Sequence, residues 1–331
     1  MKKILNQPES YVDDMLSGFT SAHPEYYEQP DRRVIVRAGG SIQGKVGIVT
    51  GGGSGHLPIF TGYVGPGFLD ACAVGDVFAS PSAEQMASAI RHANGGAGVL
   101  RLYGNYGGDV MNFDMAGEMV EMEDDIATAT VLLADDVVSA PKQEAEKRRG
   151  VAGMVYAFKI AGAAADTRAD LGEVTRIAQK AADSCRSIGM ALSPCIVPQA
   201  GKATFAIGED EMEMGMGIHG EPGIWRDKLK PADAITDEMI DRILADHEFG
   251  KGDRLSVLVN SLGATPLEEL YIMYRRVKQR FDDLGAEIVM PLVGRYATSM
   301  EMTGATITTL ALDEELERHL KAPAACAYWQ V

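Results

Sequence analysis

Short β-branched runs alternate with helix signals along most of this chain, and that order leaves few folds open. The runs at 34–37, 46–50, 71–74, 99–103 and 128–133 read as strands. Between them, Ser80-Pro81 offers an N-cap with proline at the first helical position, continued by a helix to residue 93, and 110–123 is a second helical stretch. Strands separated by helices specify an open, largely parallel sheet covered on both faces. An alanine-rich helical stretch follows at 150–188, with a turn at 166–170. The alternation then resumes with strands at 191–197 and 211–218, a helix at 235–247 and a strand at 255–260. The capping box Thr265-Pro266-Leu267-Glu268 opens a helix to about residue 284, and strands at 288–293 and 306–312 close the chain. The expected fold is α/β, with two domains, residues 1–188 and 189–331, each a largely parallel or mixed sheet flanked by helices. A length of 331 residues suits two such units.

Composition excludes several functions. A net charge of −16 argues against nucleic acid as a partner, since phosphate backbones attract basic surfaces. Cys72, Cys185, Cys195 and Cys326 are scattered and form no C-x-x-C pair, so they read as buried free thiols in a reducing cytoplasm rather than disulfides or a zinc site. No cluster has metal-ligand spacing. The start, Met1-Lys2-Lys3-Ile4-Leu5-Asn6, has no apolar run behind its lysines, and no stretch reaches the ~18 uncharged apolar residues of a membrane span. A soluble cytoplasmic protein is expected.

Three motifs sit where strands end, which is where open α/β sheets place ligands. Gly51-Gly52-Gly53-Ser54-Gly55-His56 follows the strand ending at Thr50. It lacks the Gly-Lys-Ser/Thr of a phosphate loop, and histidine stands where a dinucleotide fingerprint or nucleophile elbow requires glycine. It is either a structural turn or a loop that brings backbone N–H groups and His56 to a ligand. Gly104-Asn105-Tyr106-Gly107-Gly108-Asp109 precedes a helix, so Asp109 is either a helix-end carboxylate or a pocket base for a hydroxyl proton. Gly217-Ile218-His219-Gly220-Glu221-Pro222-Gly223 fixes His219 in a tight turn. A lone histidine is usually structural; one held this way can serve as base or nucleophile. Met212, Met214 and Met216 recur with the period of one strand face and read as core packing.

Taken together, the three motifs resemble those of the dihydroxyacetone kinase substrate-binding subunit, the DhaK family. The likeness extends through Arg148-Arg149-Gly150-Val151-Ala152, Val197-Pro198, Ala200-Gly201-Lys202, Leu262-Gly263-Ala264-Thr265-Pro266-Leu267 and Ser299 to Gly304. The resemblance implies that His219 attacks a ketone carbon and holds the sugar as a hemiaminal, which discriminates against polyols. It implies that His56 hydrogen-bonds the substrate, that Asp109 takes the proton of the attacking hydroxyl, and that Gly52, Gly53, Ser54 and Gly104 line the substrate. It also implies a homodimer with no cofactor of its own. A DhaL-like partner would carry ATP or ADP with magnesium, with a phosphotransferase-system phosphocarrier as a further candidate donor.

Two departures stand out. Gly104 replaces a lysine usual in the family, and Leu57-Pro58-Ile59-Phe60-Thr61 replaces a Glu-Pro run with a second histidine. A missing lysine removes a charge and opens space, and these changes raise a four-carbon ketose such as erythrulose beside dihydroxyacetone as the substrate. The resemblance also carries a rival reading, a non-catalytic ketose sensor that regulates transcription. An unrelated carbonyl enzyme such as an isomerase is a third.

Overall fold

The computed structural model describes residues 2–330. After a short amphipathic helix α1 (Tyr11–Ala22), the first half builds a six-stranded sheet in the order β1-β2-β4-β3-β5-β6. Its strands are β1 (Tyr27–Asp31), β2 (Val34–Arg37), β3 (Gly47–Ser54), β4 (Ala71–Val77), β5 (Val99–Gly104) and β6 (Thr128–Leu133). β3 runs parallel to β4 and β5, and β5 parallel to β6; β2 joins β4 antiparallel and pairs with β1. Alternation along the strands sends successive side chains to opposite faces. Val34, Val36, Val49, Ala71 and Val99 pack with α2 (Ala83–Ala93) and α3 (Gly107–Asp124). Ile35, Ile48, Cys72, Val74 and Leu100 face α4 (Gly153–Asp166) and α5 (Leu171–Asp183).

The second sheet runs β11-β10-β12-β7-β8-β9. Its strands are β7 (Cys185–Ser193), β8 (Glu211–Met214), β9 (Trp225–Lys228), β10 (Arg254–Ser261), β11 (Glu287–Gly294) and β12 (Thr303–Leu312). Only β10 and β11 are parallel in it; the other pairs are antiparallel. Helices α6 (Ala232–Asp246) and α7 (Leu267–Leu284) bury one face with Met212 and Met214 in that core. α4 touches strands of both sheets and is buried from Gly153 through Ala165. A helix covered on every side must be small or apolar all round, which explains its alanine content. Helix α8 (Glu314–Leu320) and the hairpin β13 (Ala325–Cys326) with β14 (Trp329–Gln330) return to the first core, where Leu316, Cys326 and Trp329 join Phe68.

The two-sheet α/β architecture agrees with the alternation in the sequence, and several boundaries move. The division expected at 188/189 cuts through β7, which belongs whole to the second sheet. The strand begins six residues earlier than its apolar pattern suggests because Ser187 lies in it, buried, its hydroxyl bonded to Asp135 and Thr308. Strand β8 stops at Met214 because Gly215 adopts φ +83°. The N-cap of α2 is Ser82, reciprocally paired with Gln85, and not Ser80. Thr265 does not cap α7; its hydroxyl bonds Gly304 on β12 in both directions. All four cysteines are free and buried. No helix among the described residues is long and apolar enough to cross a membrane.

Gly75 on β4 lies so close to the next turn that a Cβ there would come 1.9 Å from the Ala79 carbonyl oxygen. We expect Gly75→Ala to lower unfolding free energy by roughly 1–3 kcal/mol, measured by urea denaturation, through overpacking alone.

Candidate active site

The glycine run is part of β3, not a loop after it: the strand continues to Ser54, and only Gly55 turns left-handed, at φ +101°. Its glycines serve close approach. A Cβ on Gly52 would lie 2.5 Å from the Phe60 ring, and one on Gly53 would lie 2.7 Å from the Ala79 nitrogen. The strand end therefore rests backbone to backbone on the turn after β4, and Phe78 donates its N–H to the Ser54 carbonyl at 3.0 Å.

His56 follows at once and is fully buried. Its Nδ1 lies 2.7 Å from the carbonyl oxygen of Thr298, in the loop between β11 and β12. A carbonyl only accepts, so Nδ1 carries the proton and Nε2 keeps a lone pair. That Nε2 is buried without a partner. Burial first, and then the neighbouring His219, push the imidazole pKa down to about 3, so His56 is neutral at physiological pH.

His219 stands on the turn after β8, shaped by left-handed Gly215 and Gly220. Its Nδ1 is 2.8 Å from one oxygen of Glu221, whose other oxygen accepts the His219 backbone N–H at 2.9 Å. Hydrogen bonds and charge from His219 outweigh the burial that opposes them and hold the Glu221 carboxyl down to about 2. An ionised carboxylate accepts from Nδ1–H, so in the neutral form of the His219 ring the lone pair lies on Nε2, the atom left for a ligand. Gly217 must be glycine here, because a Cβ would fall 2.1 Å from Glu221 Oε2. The two imidazoles meet edge to face, centroids 4.7 Å apart.

Asp109 occupies the first turn of α3 and is buried, with Oδ1 unpartnered. Burial raises its carboxyl to about 6; a hydrogen bond from Ser80 and the charge of His219 offset this only in part. Ser80, expected as a helix cap, instead lies near this carboxylate. Tyr106 packs edge-on against His219 at 4.8 Å and is anchored by its hydroxyl on Gly150 O at 3.0 Å. Ser54 is buried beside His56 in sequence with its hydroxyl unpartnered. Gly104 ends β5, but a Cβ there would lie 3.1 Å from Met154 Sδ and 3.3 Å from the Tyr106 ring. The space expected from a missing lysine is filled by neighbours.

His56, Asp109 and His219, far apart in sequence, thus converge, with Asp109 and His56 both sensing His219 electrostatically. Sequence reasoning missed four supporting residues. Glu221 had a signal, its place two residues after His219. Arg149, which binds Asp136 and the Gly215 carbonyl, lay in a quoted basic stretch. Thr298 and Phe78 had none, since one acts through its backbone and the other through a left-handed φ of +59°.

Two imidazoles, each anchored through Nδ1, thus sit with a buried carboxylate at the ends of strands in a two-sheet α/β protein. The Dak1 domain model matches residues 17–328. The chain is 44% identical, over the full length of both proteins, to the PTS-dependent dihydroxyacetone kinase 2 dihydroxyacetone-binding subunit DhaK of Listeria innocua. It is 43% identical to a D-erythrulose kinase of Mycolicibacterium smegmatis, covering 98% of this chain and 56% of that protein. Among solved structures, the dihydroxyacetone kinase operon co-activator Dha-DhaQ superposes with a TM-score of 0.88 at 30% identity, covering 96% of this chain and 98% of that one. The C. freundii dihydroxyacetone kinase with AMP-PNP and Mg2+ gives 0.88 at 31%, over 99% of this chain and 61% of that one. The chain belongs to the Dak1 family, that of the DhaK dihydroxyacetone-binding subunits.

Asp109 is a carboxyl whose folded pKa, about 6, exceeds its ordinary 3.8. The folded state then binds more protons than the unfolded one between those values, so stability falls as pH rises through that window. Asp109→Asn should raise the melting temperature above pH 6, by an amount corresponding to at most ~3 kcal/mol, and change it little below pH 4. Calorimetry across that range checks the sign.

Proposed function

We propose that this chain is the ketose-binding subunit of a dihydroxyacetone-type kinase and that it holds its substrate covalently on His219. The observation that carries the reading is the Glu221 clamp, which leaves Nε2 of His219 as a nucleophile beside the unpartnered Nε2 of His56 and the buried Asp109. Nε2 of His219 forms a bond to the carbonyl carbon, the π pair moves to oxygen, and that oxygen takes a proton from solvent, giving a hemiaminal on an imidazolium ring. Charge developing on the ring is balanced by Glu221. A polyol has no carbonyl and is refused.

The tether aligns a primary hydroxyl for phosphoryl transfer, where positioning rather than covalent chemistry at phosphorus supplies most of the catalysis. His56 Nε2 accepts a hydrogen bond from a substrate hydroxyl, and Asp109 takes the proton from the hydroxyl that attacks phosphorus. Backbone groups of Gly52 and Gly53, with Ser54 and Gly104, complete the substrate's surroundings. The nucleotide and magnesium belong to a DhaL-like partner, charged as ATP or recharged from a phosphotransferase-system phosphocarrier, and the chain works as a homodimer in the cytoplasm.

Dihydroxyacetone and erythrulose both fit this chemistry. Erythrulose is supported by the erythrulose kinases among the relatives and not by added room at Gly104. A second reading, a ketose sensor acting on transcription, is favoured by the likeness to the Dha-DhaQ co-activator. Joint presence of Asp109 and His56 with His219 supports catalysis, since a sensor requires only the tether.

Mixing the chain with a DhaL-like subunit, ATP, magnesium and each ketose should give phosphorylated sugar; tight binding without turnover with any donor would establish the sensor. Ketose labelled with 13C at the carbonyl should show a tetrahedral carbon signal with the wild-type chain and none with His219→Ala, whose kcat/KM should fall at least ~100-fold. Glu221→Gln, which permits the other tautomer, should weaken the adduct while leaving the fold intact. The rate should rise with pH through about 6 as Asp109 loses its proton, and Asp109→Asn should abolish that limb.

A further inference from the structure

Three rings meet His219 edge-on: His56, Phe78 at 5.4 Å and Tyr106. Phe78 also stacks on His56, centroids 4.8 Å apart and planes at 23°. It is therefore the carbon ring that spans both imidazoles, and unlike His56 it is only half-buried. Its backbone is left-handed, a conformation a phenylalanine rarely adopts and one that concentrates at functional sites. The glycines of β3 and its turn are shaped around it. A Cβ on Gly53 would fall 2.8 Å from Phe78 Cα, and one on Gly55 would fall 2.8 Å from the ring itself.

We propose that Phe78 is the specificity-determining wall of the ketose site, the surface against which the sugar carbons beyond the bound carbonyl lie. This rests on the reading of His219 as the carbonyl-binding residue. A sugar bonded to Nε2 of His219, with a hydroxyl on Nε2 of His56, must lie alongside the ring that packs on both imidazoles. That ring is rigid and offers no hydrogen-bond partner, so it accepts C–H surface and disfavours an additional hydroxymethyl group relative to the three-carbon sugar. The backbone hydrogen bond to Ser54 and the close approach of Gly53 fix its backbone, and the contacts with Gly55, His56 and His219 hold the ring. Ketose length is thus read by Phe78 rather than by position 104.

The test uses the full chain with its nucleotide-carrying partner and compares kcat/KM for erythrulose and dihydroxyacetone. Phe78→Ala should shift the ratio towards the four-carbon sugar by about tenfold or more, and Phe78→Leu by less, while the tetrahedral carbon signal with dihydroxyacetone persists. An unchanged ratio, or equal losses on both sugars, would overturn the proposal. Phe78→Leu gives the same reading should the alanine variant fail to fold. The adduct on the wild-type chain is measured first: its absence with either ketose sinks the reading of His219 and this proposal with it, whereas a wild-type adduct with an unmoved ratio sinks only the role of Phe78.

Discussion

One short backbone seam joins the two halves of the molecule directly at the site, and the site's geometry depends on it. Residues 55–56 after β3 lie against 298–300 before β12: Met300 donates to the Gly55 carbonyl at 2.8 Å, Thr298 to the His56 carbonyl at 3.3 Å, and His56 Nδ1 donates back to the Thr298 carbonyl. The Thr298 hydroxyl adds a bond to the Leu57 carbonyl at 3.0 Å. His56 and Asp109 come from one half and His219 from the other, so their separation depends on how the halves join, here at this seam and through α4. The same carbonyl that joins the halves also decides which nitrogen of His56 is bare.

The site is assembled from unfavourable pieces. His56 Nε2, Asp109 Oδ1 and the Ser54 hydroxyl are buried without partners, and a buried polar group left so costs about 1–3 kcal/mol. The left-handed Phe78 adds to this. Such costs persist only where the surrounding packing over-determines the geometry, and here α4, buried from Gly153 through Ala165 against strands of both sheets, supplies part of that packing.

Much of this was legible in the sequence. Strand and helix alternation conveyed the α/β class, and the three motifs carried His56, Asp109 and His219 together with the family likeness. What escaped depends on tertiary contact. Thr265 and Ser80 looked like caps because their local pattern fits one, yet the Thr265 hydroxyl bonds Gly304 on a distant strand and α2 begins two residues after Ser80, at the cap Ser82. The glycine run looked like a loop because glycine is the usual signal of a turn; nothing local reveals that Phe60 and the turn after β4 occupy the places of the missing Cβ atoms. The room expected at Gly104 was an inference about volume, and volume belongs to neighbours such as Met154, fifty residues on.

The C-terminal hairpin carries a consequence for biosynthesis. Trp329 packs edge-on against Phe68 at 5.8 Å, Ala325 donates to the Pro66 carbonyl, and Ala327 donates to the hydroxyl of Tyr27. The N-terminal core is therefore closed by residues that the ribosome adds 259 to 300 positions later. Until they emerge, the face of Phe68 that Trp329 covers stays open on the nascent polypeptide, so the core translated first is the one completed last.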